Sequence, residues 1–392
     1  MESGFLLELS LILVLTKFFG IVSRRIHLPQ VVGALLAGLV LGPAAIGIVQ
    51  SNDVITNLAE VGVILLMFTA GLETNLQQLR QSLKPALVIA TLGAVFPLAG
   101  GWALSHFFGF GLMESLFLGV VLMATSVSIT VEVLQEMGKI KSKTGTAILG
   151  AAIIDDIIGI VILSLLITSN NGNGSAHIGG IALTLLKIAL FFVFAWGCAK
   201  VINYFFEYQI KRYGNRHRLS IFSLAFCFFL AYLAELFGVS DITGAYLAGL
   251  ALCNSNAEEY IEGRTHVLSY LFFSPIFFVS IGLNVQLGNL TGANLIFGFL
   301  VFLVAVGTKL LGCWLGAKMT GYTKKESLQI GIGMISRGEV ALIVLAKGLA
   351  VGLASPEIFS VVILVVLLTT LATPPLLQLV FRGEPEVGEV LE

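Results

Sequence analysis

Charged residues are scarce in this sequence. Only 11% of its 392 residues are Asp, Glu, Lys or Arg, whereas a typical soluble domain has about 25%. Apolar residues make up 57% of the chain, and apolar runs of roughly 20 residues recur along its whole length. This composition excludes an ordinary soluble domain and predicts an all-α polytopic membrane protein.

Cysteine and net charge are low as well. The four cysteines lie in apolar segments without a CxxC or metal-ligand spacing, which favours buried packing residues over a metal site. The net charge of −1 gives no basic surface that would attract nucleic acid, so nucleic acid is not an expected partner. We expect no cofactor.

Thirteen membrane spans are predicted from the apolar runs. They are residues 4–22, 28–47, 54–72, 85–109, 113–137, 144–168, 178–204, 219–238, 242–254, 268–284, 292–318, 326–350 and 356–381. Lys and Arg gather in the odd-numbered loops, whereas even-numbered loops such as TSNNGNGSAH and QLGNLTG hold none. The positive-inside rule therefore predicts a multi-pass protein of the inner (cytoplasmic) membrane, with its N-terminus outside and its C-terminus in the cytoplasm.

The chain resembles itself at an offset of 211 residues. GALLAGLVLG (33–42) matches GAYLAGLALC (244–253) at seven positions, and GLETNL (71–76) matches GLNVQL (282–287) at the same offset. This offset pairs spans one to six with spans eight to thirteen and leaves span seven as a connecting helix. Six spans plus a connector would insert the second half upside down, which predicts two inverted six-helix repeats as in secondary transporters.

Small polar residues interrupt the middles of spans five and twelve. Span five contains ATSVSITVEV, with Thr125 and Ser126, and the position 211 residues after Ser126 is Arg337 in GMISRGEVAL of span twelve. Transporters with inverted repeats bind their substrates on broken helices near the midplane, so we predict two crossing discontinuous helices here. The alternative is two straight helices whose Ser and Thr side chains bond back to their own carbonyls.

Five charged residues lie far from both predicted membrane surfaces: Asp155, Asp156, Lys309, Arg337 and Glu339. Adjacent helical residues point about 100° apart, so Asp155 and Asp156 cannot share one environment. Lys309 is the natural partner of one aspartate, and the other is then a hard oxygen ligand suited to Na⁺ or Li⁺. A site that holds either a cation or protons can exchange them. A static buried ion pair is the alternative, but it leaves the second aspartate unexplained.

The motifs around these residues resemble those of the cation:proton antiporter-2 superfamily, and more closely the bacterial Na⁺/H⁺ antiporters of the NapA/GerN type. The similarity rests on AAIIDDIIG (151–159), GTKLLGC (307–313), LPQVVGALLAGLVLGP (28–43), FTAGLETNL (68–76), ATSVSITVEVLQEMG (124–138), SPIFFVSIGL (274–283) and GIGMISRGEVALIV (331–344). It implies thirteen helices, a core domain, a dimerisation domain, a homodimer and an elevator-like movement of the core.

The resemblance also implies roles for individual residues. Asp156 is expected to be the main carboxylate that binds Na⁺ and protons, with Thr125 and Ser126 as further oxygen donors for Na⁺ at the crossover. Asp155 is expected to pair with Lys309. The Asp-Asp form of this motif is associated with electrogenic exchange.

Three further charges are expected to support the crossover: Arg337, Glu339 and Glu132. Many members of the family have a basic residue where Glu132 stands. Its acidic side chain is expected either to pair with Arg337 or to alter the access of ions from the cytoplasm.

The repeat and the resemblance divide the chain into five segments. Residues 1–84 and 219–291 are expected to be the dimerisation or scaffold helices of the two repeats. Residues 85–168 form the ion-binding core helices of the first repeat, and residues 292–392 form those of the second with a short C-terminal tail. Residues 169–218 contain the connector helix and a cytoplasmic loop.

We therefore expect a secondary antiporter that exchanges Na⁺ for H⁺, with Li⁺ and K⁺ as other candidate cations, and not an enzyme. A K⁺/H⁺ antiporter is one alternative. A cation channel or uniporter is a second, although a carboxylate that a lysine can neutralise fits exchange better than a continuous pore. An intramembrane aspartyl protease would carry its aspartates on different helices, one of them in a GxGD motif that this sequence lacks.

Overall fold

The computed structural model describes residues 4–26, 28–170, 177–213, 217–255, 257–284 and 292–382. Within these ranges the chain forms helices and no strand, which confirms the all-α prediction. In chain order the helices are α1 (Gly4–Arg25), α2 (Gln30–Leu41), α3 (Asp53–Glu73), α4 (Leu76–Phe107), α5 (Leu112–Met123), α6 (Val127–Glu136), α7 (Lys143–Asn170), α8 (His177–Tyr213), α9 (His217–Leu236), α10 (Asp241–Leu252), α11 (Glu258–Leu268), α12 (Ser274–Leu283), α13 (Gly292–Met319), α14 (Lys324–Gly333), α15 (Glu339–Ala350) and α16 (Pro356–Phe381). A π-helical turn, Ser269–Phe273, joins α11 to α12.

In the described part of the chain, ten helical segments are long and apolar enough to cross a membrane, judged by length and composition. They coincide with ten of the thirteen predicted spans. The second and ninth predicted spans are the shorter apolar helices α2 and α10, with 12 residues each. The twelfth predicted span is divided into α14 and α15. The chain is thus a multi-pass membrane protein.

Polar residues fix the starts of several helices. The Asn52 side chain accepts a hydrogen bond from the Ile55 N–H at 2.9 Å and caps α3, and the Asn75 side chain caps α4 in the same way. At the start of α14, the side chains of Thr323 and Glu326 each accept a hydrogen bond from the other residue's backbone N–H. These caps satisfy backbone groups that a helix end leaves free, and so they define where the apolar spans begin.

The helices pack into two bundles. The site bundle consists of α4–α7 and α13–α16: α4 packs against α5, α7 and α13, and α13 packs against α14 and α16. The flanking bundle consists of α1–α3 and α8–α12, in which α10 packs against α3 and α9, and α12 packs against α2 and α3. The bundles meet where α6 contacts α3, where α7 contacts α8 and where α16 contacts α2.

Glycine pairs allow the flanking helices to approach closely. A Cβ atom at Gly38 would lie 2.2 Å from the Val279 carbonyl oxygen and 3.0 Å from the Cα of Gly282, where α2 meets α12. A Cβ atom at Gly249 would lie 2.9 Å from the Cα of Gly71, where α10 meets α3. No larger residue fits without moving a backbone, as in other closely packed membrane helices.

Two helices of the site bundle are interrupted at mid-length. Residues 124–126 separate α5 from α6, and residues 334–338 separate α14 from α15. The backbone is extended at Ser126, with φ −95° and ψ 105°. Both interruptions fall in the segments where the sequence predicted unwinding, and the alternative of two straight helices is wrong.

Candidate functional site

The two interruptions bind to each other through their backbones. The Ser126 N–H donates to the Ser336 carbonyl oxygen at 2.9 Å, and the Ser336 hydroxyl donates to the Ser126 carbonyl oxygen. The Thr130 hydroxyl donates to the Gly333 carbonyl oxygen at 2.7 Å. Lipid cannot satisfy unwound backbone groups, so these internal partners are what allows the helices to break at this depth.

Arg337 is buried between the ends of the interrupted helices. It is 1% exposed, and its Nη2 donates to the carbonyl oxygens of Leu122 at 2.6 Å and Ala305 at 3.3 Å. Its Nη1 donates to the carbonyl oxygens of Met334, at 3.3 Å, and Ile335. Since α5 and α14 both end here, the guanidinium lies where two helix C-termini present partial negative charge.

Asp155 and Lys309 form a buried ion pair. The Lys309 Nζ lies 2.9 and 3.0 Å from the two carboxylate oxygens of Asp155. Lys309 is 0% exposed and Asp155 is 2% exposed. Lys309 also donates to the Met123 carbonyl oxygen at 2.9 Å, and the Thr125 hydroxyl donates to Asp155 Oδ2 at 2.7 Å. The predicted contact between Lys309 and one aspartate is therefore present. Each charge has the partners that burial requires.

Asp156 has a different environment from its neighbour. It is partly exposed, and its Oδ2 accepts a hydrogen bond from the hydroxyl of Thr243, on α10 of the flanking bundle, at 3.2 Å. The hydroxyls of Thr125 and Ser126, expected near a cation at Asp156, bond to Asp155 and Glu339 instead. One aspartate is thus neutralised by a lysine, while the other is partly exposed and accepts a hydrogen bond from a neutral hydroxyl.

Glu339 lies at the first position of α15 and binds the start of α6. Its carboxylate accepts hydrogen bonds from the Ser126 hydroxyl at 3.0 and 3.2 Å and from the Ser128 hydroxyl at 3.0 Å. A carboxylate at a helix N-terminus interacts favourably with the helix dipole. At the two interruptions, a cation therefore lies at helix C-termini and an anion lies at a helix N-terminus.

Glu132 lies within α6, outside the two interruptions. It lines a cavity of about 280 Å³ together with Lys17, Gln30 and Tyr270, and a second cavity of about 200 Å³ that reaches Arg24. The expected pairing with Arg337 is wrong, because the Arg337 guanidinium donates to backbone carbonyls around the interruptions.

Several residues that hold the site were not predicted from the sequence. Thr243 binds Asp156 from a helix 87 positions away in the chain. Thr369 accepts a hydrogen bond from the Arg337 N–H at 3.2 Å, and the Thr370 hydroxyl donates to the Arg337 carbonyl oxygen at 2.6 Å. The adjacent threonines in the otherwise apolar run LLTTLAT were a usable signal for the last two. Thr243 had none, because it stands at the predicted end of a span.

The chain is similar to known membrane transport proteins. Residues 10–382 match the family described as "Sodium/hydrogen exchanger, transmembrane". The chain is 38% identical over 391 residues to the Na⁺/H⁺-K⁺ antiporter GerN of Bacillus cereus, covering 98% of each chain. It is 40% identical over 381 residues to the probable Na⁺/H⁺ antiporter GerT of the same organism, covering 96% of this chain and 99% of GerT.

A solved structure shares the fold. The sodium proton antiporter MjNhaP1 from Methanocaldococcus jannaschii, at pH 8, matches with a TM-score of 0.70 and 19% identity. The match covers 97% of this chain and 98% of that chain. The helical arrangement described above is therefore that of a known antiporter fold.

Proposed function

The chain belongs to the sodium/hydrogen exchanger family of transporters, and we propose that it exchanges Na⁺ for H⁺ by competitive binding of the cation and protons at Asp156. Cation/proton antiport is supported by relatives that match the chain from end to end. The observation that carries the assignment to Asp156 is the contrast between the two aspartates. Asp155 forms an ion pair with Lys309, whereas Asp156 is partly exposed and accepts a hydrogen bond from a neutral hydroxyl.

The chemistry of exchange follows from that contrast. An ionised carboxylate is a hard oxygen ligand that suits Na⁺, and nearby hydroxyl and carbonyl oxygens would complete its shell. Once a proton binds to Asp156, the carboxyl is neutral and attracts the cation much less. Because both ligands need the same oxygen atoms, one leaves when the other binds. No cofactor beyond the transported ions is needed.

We propose that the site bundle carries the ion and moves against the flanking bundle as an elevator. The interrupted helices and the Asp155–Lys309 pair all belong to the site bundle. In this scheme residues 1–84 and 219–291 are scaffold helices that also form a homodimer. Residues 85–168 and 292–392 form the core, and 169–218 the connector.

Inverted repeats with thirteen spans are part of the same proposal. The two close glycine contacts are related by the repeat offset of 211 residues. Gly38 of the first repeat corresponds to Gly249 of the second, and Gly282 of the second corresponds to Gly71 of the first, so the Gly38–Gly282 contact corresponds to the Gly249–Gly71 contact. A pair of contacts that exchange in this way is what a twofold pseudo-symmetry between the repeats produces. In this reading α14 and α15 are two halves of one span, and the odd-numbered loops face the cytoplasm.

K⁺ is a second candidate cation, because the GerN relative is a Na⁺/H⁺-K⁺ antiporter. We propose that exchange is electrogenic, with more than one proton for each cation. A channel or uniporter is less favoured, because a carboxylate with a neighbouring lysine suits alternate binding of a cation and protons better than ion flow through a continuous pore.

The test is uptake of ²²Na⁺ into proteoliposomes driven by a pH gradient, with Li⁺ and K⁺ as competitors and with the membrane potential clamped or free. We expect uptake that depends on the pH gradient, and we expect Asp156→Asn to abolish it. Asp53→Asn, which changes an exposed aspartate at the start of α3, is the matched control and should transport normally. Uptake that ignores the pH gradient would contradict antiport, and normal transport by Asp156→Asn would contradict the site.

A further inference from the structure

One hydrogen bond joins the Asp156 carboxylate to the flanking bundle. Its donor is the Thr243 hydroxyl, 3.2 Å from Asp156 Oδ2, and Thr243 is 2% exposed. Thr243 belongs to α10, whereas Asp156 belongs to α7 of the site bundle. The contact therefore crosses the boundary along which the proposed movement would take place.

The surrounding helices hold Thr243 firmly in place. It is the third residue of α10, and the first residue, Asp241, accepts a hydrogen bond from the Ile242 N–H at 2.9 Å. The next residue, Gly244, packs so closely against α9 that a Cβ atom would lie 2.5 Å from the Leu230 carbonyl oxygen. Farther along α10, Gly249 makes the close contact with α3 described above. The Thr243 hydroxyl thus has little freedom to move away from the carboxylate.

The hydrogen bond of this hydroxyl differs from those of the buried threonines that bond within their own helix. Thr69 donates to the Leu65 and Leu66 carbonyl oxygens of its own helix, and Thr373 donates to the Thr369 carbonyl oxygen of its own helix. Such back-bonding is the ordinary structural use of a buried threonine in a helix. In the described structure the hydroxyl of Thr243 donates to a carboxylate of the other bundle instead.

We propose that Thr243 is a positioning residue that sets the balance between cation and proton at Asp156. This proposal rests on the proposed function of Asp156. The hydroxyl orients the Asp156 carboxylate when neither a cation nor a proton is bound. It also stabilises the ionised form of the carboxylate, which is the form that binds the cation. When a cation arrives, the hydroxyl oxygen has lone pairs that can face it. A residue of the flanking bundle, which does not travel with the ion, thereby contributes to the apparent affinity.

Other charges act on Asp156 as well. The charged groups that face it are Asp155 on its own helix, Lys309 on α13 and Glu339 on α15. A substitution at Thr243 leaves all three in place. If the pH profile changes when the hydroxyl is removed, the cause is therefore the loss of the hydroxyl and not a rearrangement of the Asp155–Lys309 ion pair.

The test compares Thr243→Val with Thr243→Ser in proteoliposomes, with transport measured against Na⁺ concentration at several pH values. A hydrogen bond to an ionised group contributes enough that losing it shifts a titration by about one pH unit or more. For Thr243→Val we expect the activity profile to move about one unit towards alkaline pH. We also expect the KM for Na⁺ near neutral pH to rise about tenfold, with the maximal rate at alkaline pH within about twofold of wild type. Thr243→Ser keeps the donor and should keep the wild-type KM and profile.

Thr373→Val is the matched control, because it also removes a buried threonine hydroxyl but leaves the carboxylates untouched. It should leave KM and the pH profile unchanged. The proposal is overturned if Thr243→Val keeps the wild-type KM and profile, or if Thr243→Ser shows the same shift as Thr243→Val, since packing of the methyl group would then explain the effect. Wild-type protein without exchange that depends on the pH gradient would instead refute the proposed function, so the two failures are distinguishable.

Discussion

The buried pair of Asp155 and Lys309 predicts a large coupling energy in a double-mutant cycle. Removing one partner of a buried ion pair leaves an uncompensated charge and typically costs about 3–5 kcal/mol. Here each residue keeps one further partner, since the Thr125 hydroxyl still binds Asp155 and the Met123 carbonyl still binds Lys309. We therefore expect Lys309→Met and Asp155→Asn each to cost about 3 kcal/mol. The double variant should cost much less than their sum, with a coupling energy of about 2 kcal/mol or more.

The assay is equilibrium unfolding of the purified protein in detergent by denaturant, for wild type, both single variants and the double variant. The chain offers a matched control in the ion pair of Lys143 and Glu326, which also joins N and O at 3.0 Å but has side chains 58% and 25% exposed. The same cycle there should give a coupling below about 1 kcal/mol, because solvent screens exposed pairs. Additive effects at the buried pair, or equal coupling at both pairs, would show that burial does not strengthen the interaction of Asp155 with Lys309.

Three other predictions follow from packing and charge. Gly249→Ala should lower the free energy of unfolding in detergent by about 1–3 kcal/mol, because its Cβ would lie 2.1 Å from the Phe68 carbonyl oxygen. A Cβ at Gly197 meets nothing within 4 Å, so Gly197→Ala should be neutral, and equal effects of the two substitutions would contradict the packing. Arg337→Lys should lose about 2 kcal/mol or more in the same assay, since one ammonium cannot reach four carbonyls, and wild-type stability would refute that role. Glu132→Gln should raise the KM for Na⁺ presented on the cytoplasmic side of oriented vesicles, with the maximal rate within about twofold of wild type. An unchanged KM would show that the cavities beside Glu132 are not on the ion's path.

Parts of the fold and the site follow directly from the sequence, and the reasons are physical. Hydrophobic runs separated by short polar loops locate most helices, because a bilayer demands about 20 apolar residues for each crossing. A charged side chain inside such a run is costly to bury unless it pairs with an opposite charge. Because the chain has few charged residues at that depth, Lys309 could be matched to an aspartate without a structure. The resemblance added the choice of Asp155 as the paired residue.

Other parts depend on tertiary packing and leave no such trace. Thr243 was missed because a hydroxyl is common at span ends, and only the packing of α10 brings it to Asp156. Glu132 was expected to pair with Arg337 as one alternative, but the guanidinium binds four backbone carbonyl oxygens instead. Two of them belong to the interruption between α14 and α15, and the others belong to α5 and α13. In both cases the outcome was decided by backbone positions that a hydropathy pattern does not encode.

Competition between the cation and protons for Asp156 can be measured by calorimetric titration of the purified protein with NaCl. Titrations at several pH values in buffers of different ionisation enthalpy measure both the affinity and the protons released. We expect Na⁺ binding to release protons, and we expect its Kd to rise about tenfold for each unit of acidification in the pH range where the site is protonated. Asp156→Asn should bind no Na⁺. Binding of Na⁺ without proton release, or with unchanged affinity in Asp156→Asn, would show that the two ligands do not compete at this carboxylate.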